Sequence, residues 1–205
     1  MFVHRLRDEA MAEAQRLKGL CADDITFLRT WASRPLTTGA VSPSGRGLAR
    51  AMAAGVDPAW SGTIVELGPG TGSVTAALIA RGVPAERLVA IEFNPDFAVH
   101  LRRRFPGVGI IEGDAYTLGQ TLSHHGISDV AAVVSSLPLF TRPPMMRRQL
   151  LEQAMDHLPA GRPFIQFSYA LVPPVREDAR HWSLEVGDWV LLNLPPARVW
   201  TYRKL

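Results

Sequence analysis

From Gly62 onward the chain alternates short apolar runs with longer mixed ones. Five runs are dense in β-branched and other apolar residues: "GTIVELG" (62–68), "RLVAIEF" (87–93), "VGIIEGD" (108–114), "DVAAVVSS" (129–136) and "GRPFIQFSYA" (161–170). Runs of this length and composition predict strands. Between them, Gly72 to Arg81, Pro95 to Phe105, Thr117 to His124 and Met145 to His157 predict helices, the second of them stopped by Pro106. Strands alternating with helices predict an α/β fold, a doubly wound and mainly parallel sheet with helices on both faces.

The two ends of the chain differ. After the fifth strand, "LVPPVRED" (171–178) has the composition of an exposed, mobile loop. Trp189 to Leu194 and Arg198 to Arg203 are strand-like runs separated by Pro195 and Pro196. They predict a C-terminal antiparallel pair that brings the sheet to seven strands. At the other end, Val3, Leu6, Ala10, Ala14, Leu17 and Cys21 recur at helical spacing. A second short helix is predicted over Asp23 to Ser33, capped by Asp23 or Asp24. Ser42 is a candidate N-cap for a third helix, with Pro43 as its first residue, where a missing N–H costs nothing. The division expected is 1–36 as N-terminal helices and 37–205 as the α/β domain.

Composition narrows the class. A chain of 205 residues with 47% hydrophobic and 20% charged residues is long enough for one sizeable core. A single cysteine, Cys21, cannot form an internal disulfide, which suits a reducing, cytosolic setting. No apolar run approaches the roughly 20 residues needed to span a bilayer. The net charge of +3 is compatible with an anionic partner without demanding one.

The chemistry begins at "VELGPGTGSVT" (65–75), where Gly68, Gly70 and Gly72 follow the first strand. Such a loop brings backbone close to a nucleotide. A triphosphate loop needs Lys-Ser or Lys-Thr after its last glycine, and this chain has Ser73-Val74. A dinucleotide loop wants glycines at first, third and sixth positions; here the third glycine comes fifth. Glu92, at the end of the second strand, can accept from two vicinal ribose hydroxyls and disfavours a phosphate there. Asp114, in "EGDA", can accept from an adenine amino group. Glu66, just before the glycines, places a second negative charge that pyrophosphate would avoid and a cationic ligand would not. Phe93, Gly113 and Ala115, beside the two acids, complete the predicted adenosine-binding set. Each feature alone has a bland reading as a tight turn or a solvated acid. Jointly, at successive strand ends, they specify an adenosine attached to a cation.

This arrangement resembles the class I S-adenosylmethionine-dependent methyltransferases, over roughly Thr38 to Tyr169. The resemblance implies a Rossmann-like fold, S-adenosylmethionine as methyl donor and S-adenosylhomocysteine as product. "FLRTWASRPLTTGAVSPSGRGLARAM", "ELGPGTGSVT", "SSLPLF" and "FIQFSYA" are also similar to the small bacterial phospholipid N-methyltransferases. What that family implies is stepwise methylation of phosphatidylethanolamine to its monomethyl and dimethyl forms and to phosphatidylcholine. It further implies a cytoplasmic protein held peripherally on the inner face of the membrane by its N-terminal helix.

In the superfamily, the residues closing the fourth strand face the acceptor atom. Enzymes acting on adenine carry Asn or Asp there, then Pro-Pro or Leu-Pro and an aromatic; this chain has Ser135, Ser136, Leu137, Pro138 and, two residues on, Phe140. Ser135, Ser136 and Tyr169 are therefore the candidate catalytic residues, and Trp31, Leu137, Phe140 and Arg142 the candidate substrate contacts. Tyr169 can hold a methylated ammonium by cation–π attraction or simply pack beneath the following loop. Arg142 can meet a lipid phosphate or remain solvated. Arg102 to Arg104 read as structural, complementing a helix C-terminus. His124-His125 lacks the companions of a metal site, and no metal is expected. The first helix has basic flanks, but its acids nearly balance them, so its apolar stripe either lies on a membrane or packs on the domain. The expected partners are an anionic membrane surface and a phospholipid, with no nucleic acid and a monomeric chain. Rival readings are a ribosomal RNA adenine dimethylase, a small-molecule amine methyltransferase and a non-catalytic S-adenosylmethionine-binding module. Against the first stand Ser135 and the lack of an appended helical RNA-binding domain.

Overall fold

The structure, a computed structural model, describes residues 43–193 and 195–205. The predicted N-terminal helices, the Ser42 cap, Trp31 and the division near residue 36 lie outside the described residues.

Helix α1 (Pro43–Ala54) comes first among the described residues. It buries Leu48, Ala49, Met52 and Ala53, residues spaced to lie on one face. Strand β1 (Thr63–Leu67) follows, then α2 (Ser73–Ala80), β2 (Leu88–Glu92), α3 (Pro95–Arg104) and β3 (Gly109–Glu112). Helix α3 is started by Asn94, whose side chain accepts from the N–H groups of Asp96 and Phe97. Helix α4 (Leu118–His124), β4 (Val130–Ser135), α5 (Pro144–His157) and β5 (Pro163–Ser168) complete the alternation. A hairpin of β6 (Trp182–Val190) and β7 (Ala197–Lys204) closes the chain.

The seven strands form one sheet in the order β3-β2-β1-β4-β5-β7-β6. The first five are parallel, and β7 runs antiparallel between β5 and β6. Leu118 and Leu122 of α4 and Leu150, Leu151 and Ala154 of α5 pack on the face carrying Val65, Leu67 and Val133. The α1 residues, with Val74 and Leu78 of α2, pack on the face carrying Ile64, Val134 and Ile165. Covering both faces explains why β4 is apolar along nearly its whole length and wholly buried. The chain moves outward from β1 to β2 and β3, then returns to place β4 on the other side of β1. That reversal opens a crevice at the carboxyl ends of β1 and β4, where open α/β sheets bind ligands.

Two expectations are corrected. The sixth strand spans Trp182 to Val190, not Trp189 to Leu194. Leu191 and Leu192 instead lie exposed in a turn, and Asn193 Nδ2 donates to Pro195 O (2.8 Å). Pro195 and Pro196 bring no N–H for a ladder. The 171–178 segment is exposed only in part. Pro174 and Val175 are buried, and the Tyr202 hydroxyl both accepts from Val175 N (3.1 Å) and donates to Val175 O (2.9 Å).

Candidate functional site

The loop leaving β1 is held in a conformation that glycine makes possible. Gly68, Gly70 and Gly72 have φ of 64°, 54° and 81°, the left-handed region that costs a side chain-bearing residue about 1–2 kcal/mol. Space adds a second demand at Gly68, where a Cβ would meet Leu137 Cδ2 at 2.8 Å. At Gly70 nothing stands within 4 Å, so this turn of the loop faces open space. Gly68 N donates to Ile91 O (3.0 Å), and Arg104 Nη1 donates to Thr71 O (2.6 Å). Arg104, from the run read as structural, thus braces the loop from the end of α3, while Arg102 pairs with Glu112 (2.5 Å).

Glu92 closes β2 beside this loop and is almost fully buried. Its Oε2 accepts from Gly70 N (3.0 Å) and its Oε1 from Asn94 N (2.9 Å). The carboxylate is thereby fixed on backbone donors, with a further lone pair on each oxygen. Asp114 sits at the end of β3, exposed, with its Oδ1 accepting the Tyr116 N–H (2.9 Å). Gly113 N donates to Glu92 O (3.0 Å), which ties the two acidic turns together. Ala115 is buried behind them, and Phe93 is 79% exposed.

Glu66 differs from the expectation of a charged group. It is 1% exposed, points to the α2 side, and its Oε2 accepts from Thr75 Oγ1 (2.6 Å). Its Oε1 is buried with no hydrogen-bond partner. Burial pushes the carboxyl up to about 7, the Thr75 hydrogen bond opposing and the Glu92 charge adding to the rise. A cation placed beside it would restore the charge.

Across the crevice, the segment after β4 is anchored to β1 by Ser136 N donating to Leu67 O (2.8 Å). Ser135 is fully buried, and Leu137 N donates to its Oγ (3.4 Å). Leu137 O accepts from Leu139 N (2.8 Å) and from Gln166 Nε2 (3.0 Å); Pro138 O accepts from Thr141 N (2.9 Å) and Thr141 Oγ1 (2.7 Å). Each of those carbonyls has spent both lone pairs. The polar groups of Ser136 therefore carry most of what this loop can offer an incoming amine. The Phe140 ring lies 4.7 Å from the Arg147 guanidinium, and Arg142 lies 5.1 Å over the Tyr116 ring. Tyr169 packs edge-to-face on Phe167 (5.5 Å) in the α1–α2 layer, whereas Ser135 belongs to the β4 residues of the opposite face.

Sequence reasoning missed Gln166. It pairs in register with Ser135, is fully buried, and also donates to Phe167 O (2.7 Å). Its Oε1 has no partner. A glutamine interrupting the apolar "FIQF" was the available signal, since a buried amide needs a reason.

A protein whose alignment runs nearly end to end decides the kind of catalyst. The chain is 31% identical over 178 residues to the ornithine lipid N-methyltransferase of Singulisphaera acidiphila, covering 85% of this chain and 93% of that one. The chain belongs to the S-adenosylmethionine-dependent methyltransferases. Within them it shares a family with the Singulisphaera protein. None of the protein-family models matches this methyltransferase. Its fold is similar to a TehB-like S-adenosylmethionine-dependent methyltransferase from Corynebacterium glutamicum, with TM-score 0.56, 14% identity and coverage of 90% of this chain and 99% of that one. A Streptococcus mutans protein in complex with S-adenosylhomocysteine has the same fold, with TM-score 0.53, 14% identity and coverage of 77% and 96%. A shorter likeness, 44% identity over 72 residues, links the methyltransferase to ribosomal RNA small subunit methyltransferase A of Methylococcus capsulatus. That match takes in 34% of this chain and 27% of the other. The crevice residues suit S-adenosylmethionine: Glu92 is a fixed carboxylate with spare lone pairs, Gly70 is open, and Glu66 has an unpartnered oxygen.

Proposed function

We propose that this methyltransferase transfers methyl groups to the amine of a membrane lipid headgroup. The observation that carries the reading is the similarity to a lipid N-methyltransferase through 93% of that protein's length. The ribosomal RNA enzyme above is matched over 27% of its length. A lipid acceptor also agrees with the fourth-strand segment, where Ser135 stands in place of the side-chain amide or acid of adenine methyltransferases.

In this reading Glu92 holds the ribose hydroxyls on the lone pairs left by Gly70 and Asn94. Asp114 takes the adenine amino group, with Phe93, Gly113 and Ala115 around it, and Glu66 answers the cationic end. The cofactor supplies a methyl group on a sulfonium sulfur, open to in-line displacement by a neutral amine. The chain's task is positioning, since alignment of the two reacting partners can supply about 7–11 kcal/mol of such a barrier. Leu137, wedged against Gly68, sets the distance between the two walls of the crevice. Ser136 orients the amine, and Phe140 and Arg142 line the approach. An ammonium group must lose its proton before it attacks, so transfer should quicken as pH rises.

Two amine lipids are the leading acceptors. Ornithine lipid is the acceptor named for the Singulisphaera relative. Phosphatidylethanolamine, methylated stepwise to phosphatidylcholine, is the one implied by the "SSLPLF" and "FIQFSYA" segments. Transfer of radiolabelled methyl from S-adenosylmethionine to each lipid, beside undermethylated ribosomal RNA, tests the proposal. Label in either lipid supports it and chooses between them. Label in RNA with none in lipid would end it.

A further inference from the structure

Among the described residues, six of the nine large apolar side chains left exposed lie at one edge of the sheet; Val99, Val186 and Leu205 lie elsewhere. Leu171 and Val172 follow β5 and are 65% and 48% exposed; Leu191 and Leu192, in the turn between β6 and β7, are 73% and 86% exposed. Ser168 at the end of β5 pairs with Arg198 near the start of β7. The two tips therefore rise from neighbouring strand ends, on the carboxyl edge that holds the crevice. Met145 at the start of α5 and Phe93 after β2 add two more exposed apolar groups to this edge.

Neither tip rests on a slack base. Behind the first, Tyr202 clamps Val175 through both its backbone groups, and Arg147 Nη1 donates to Pro174 O (3.1 Å). Beneath the second, Asn193 braces Pro195, and Trp189 lies half-buried with the Arg198 guanidinium 5.3 Å from its ring. Arg198 Nε also donates to Gly187 O (2.8 Å). The order from the tip inward is aliphatic, then an aromatic paired with a guanidinium. That is the order a headgroup region favours, with alkyl groups below it and an amphipathic ring and cation within it. Folding left these aliphatic groups in water although the same strands bury Trp182 and Trp200 completely, so the exposure belongs to a surface that something covers.

We infer that residues 171–172 and 191–192 form a lipid-insertion rim. It sets the carboxyl edge on a bilayer and brings the crevice between β1 and β4 to the level of the headgroups. The choice of a bilayer as occupant rests on the lipid acceptor proposed above: an amine in a headgroup reaches the crevice only if this edge meets the membrane. The rim draws on residues other than the first twenty, for which the sequence predicts an amphipathic helix.

The test uses the full chain and vesicles of phosphatidylethanolamine with phosphatidylglycerol. Three proteins are compared with wild type: Leu171→Asp with Val172→Asp, Leu191→Asp with Leu192→Asp, and Leu191→Ile with Leu192→Ile. Each Asp pair should lower the fraction floating with vesicles by about tenfold, while the Ile pair floats like wild type. S-adenosylmethionine affinity by calorimetry should be unchanged in all of them, showing an intact fold. Methylation of a short-chain, monomeric acceptor lipid should persist in the Asp variants while methylation of vesicle lipid falls. Flotation of the Asp variants equal to wild type would overturn the rim, as would a wild type that does not float. A change in self-association by sedimentation without a change in flotation would overturn it too, and assign the tips to an interface between copies. Flotation needs no acceptor chemistry. Loss of flotation in the Asp variants with no lipid methylation by wild type would thus uphold the rim and remove the proposed function.

Discussion

Replacing Glu66 with glutamine should change how stability depends on pH. In the folded protein this carboxyl is 1% exposed, one oxygen holds the Thr75 hydroxyl at 2.6 Å, and the other has no partner. Burial pushes it from 4.5 up to about 7. Between those values the folded chain keeps a proton that the unfolded chain has lost. Stability from this group therefore falls as pH rises from near 4.5 through about 7, and stays at the lower level above. A rise from 4.5 to about 7 corresponds to about 3 kcal/mol at roughly 1.4 kcal/mol per unit. The substituted amide would have the shape of the protonated acid, with its N–H groups where the acid's hydroxyl lies. The two proteins should match at about pH 4, below both values, and the Glu66→Gln variant should be more stable by about 3 kcal/mol at about pH 8. Urea unfolding of both proteins across this range measures it, and the difference between them cancels the other titrating groups. A stability difference that does not vary with pH would refute the reasoning. The same carboxyl gives a linked expectation. S-adenosylmethionine should bind wild type more tightly as pH rises through about 7, and the variant should lose that dependence.

Further substitutions probe the rest of the site. Gly68→Ala should cost more than Gly70→Ala in thermal melts, because both meet the left-handed penalty of about 1–2 kcal/mol but only the first collides with Leu137. Glu92→Gln should weaken S-adenosylmethionine binding by about tenfold or more by calorimetry, since an amide cannot accept from Gly70 and Asn94 with both of its ends. Gln166→Met keeps the volume but leaves Leu137 O one donor short; it should lower kcat with little change in cofactor affinity, at a stability cost of about 1–3 kcal/mol. Tyr202→Phe should cost about 1–3 kcal/mol in urea unfolding and raise amide exchange at Val175, whose two backbone groups it releases.

The central sheet was legible in the sequence because strands buried on both faces have little choice of composition. "DVAAVVSS" and "GRPFIQFSYA" become β4 and β5 within a residue or two of their apolar limits. The sixth strand was misplaced for the opposite reason. "HWSLEVGDWV" carries charge and glycine because it is an edge strand, half exposed and irregular between Val186 and Trp189. The more apolar "LLNL" beside it was the better strand by composition alone. Its two leading leucines face solvent, a placement decided by Asn193 and two prolines rather than by burial. At the site, the sequence singled out Gly68, Gly70, Gly72 and Glu92 as parts of one adenosine-binding set, and the structure adds that Gly70 N donates to Glu92 Oε2. What the sequence did not disclose are the long-range partners. Gln166 reaches Leu137 across 29 positions, and Glu66 meets Thr75 only because α2 folds back over β1. Burial pushes the Glu66 carboxyl, expected to be charged, up to about 7.

The central claim, methyl transfer to a lipid amine, is tested most directly by mass spectrometry of the lipid itself. Purified full-length protein, trideuteromethyl S-adenosylmethionine and vesicles carrying either ornithine lipid or phosphatidylethanolamine are sufficient. The account predicts labelled methyl groups on the headgroup nitrogen of at least one of these lipids, and about tenfold fewer after Glu92→Gln under limiting cofactor. Cofactor that binds with the expected affinity while both lipids remain unlabelled would contradict it.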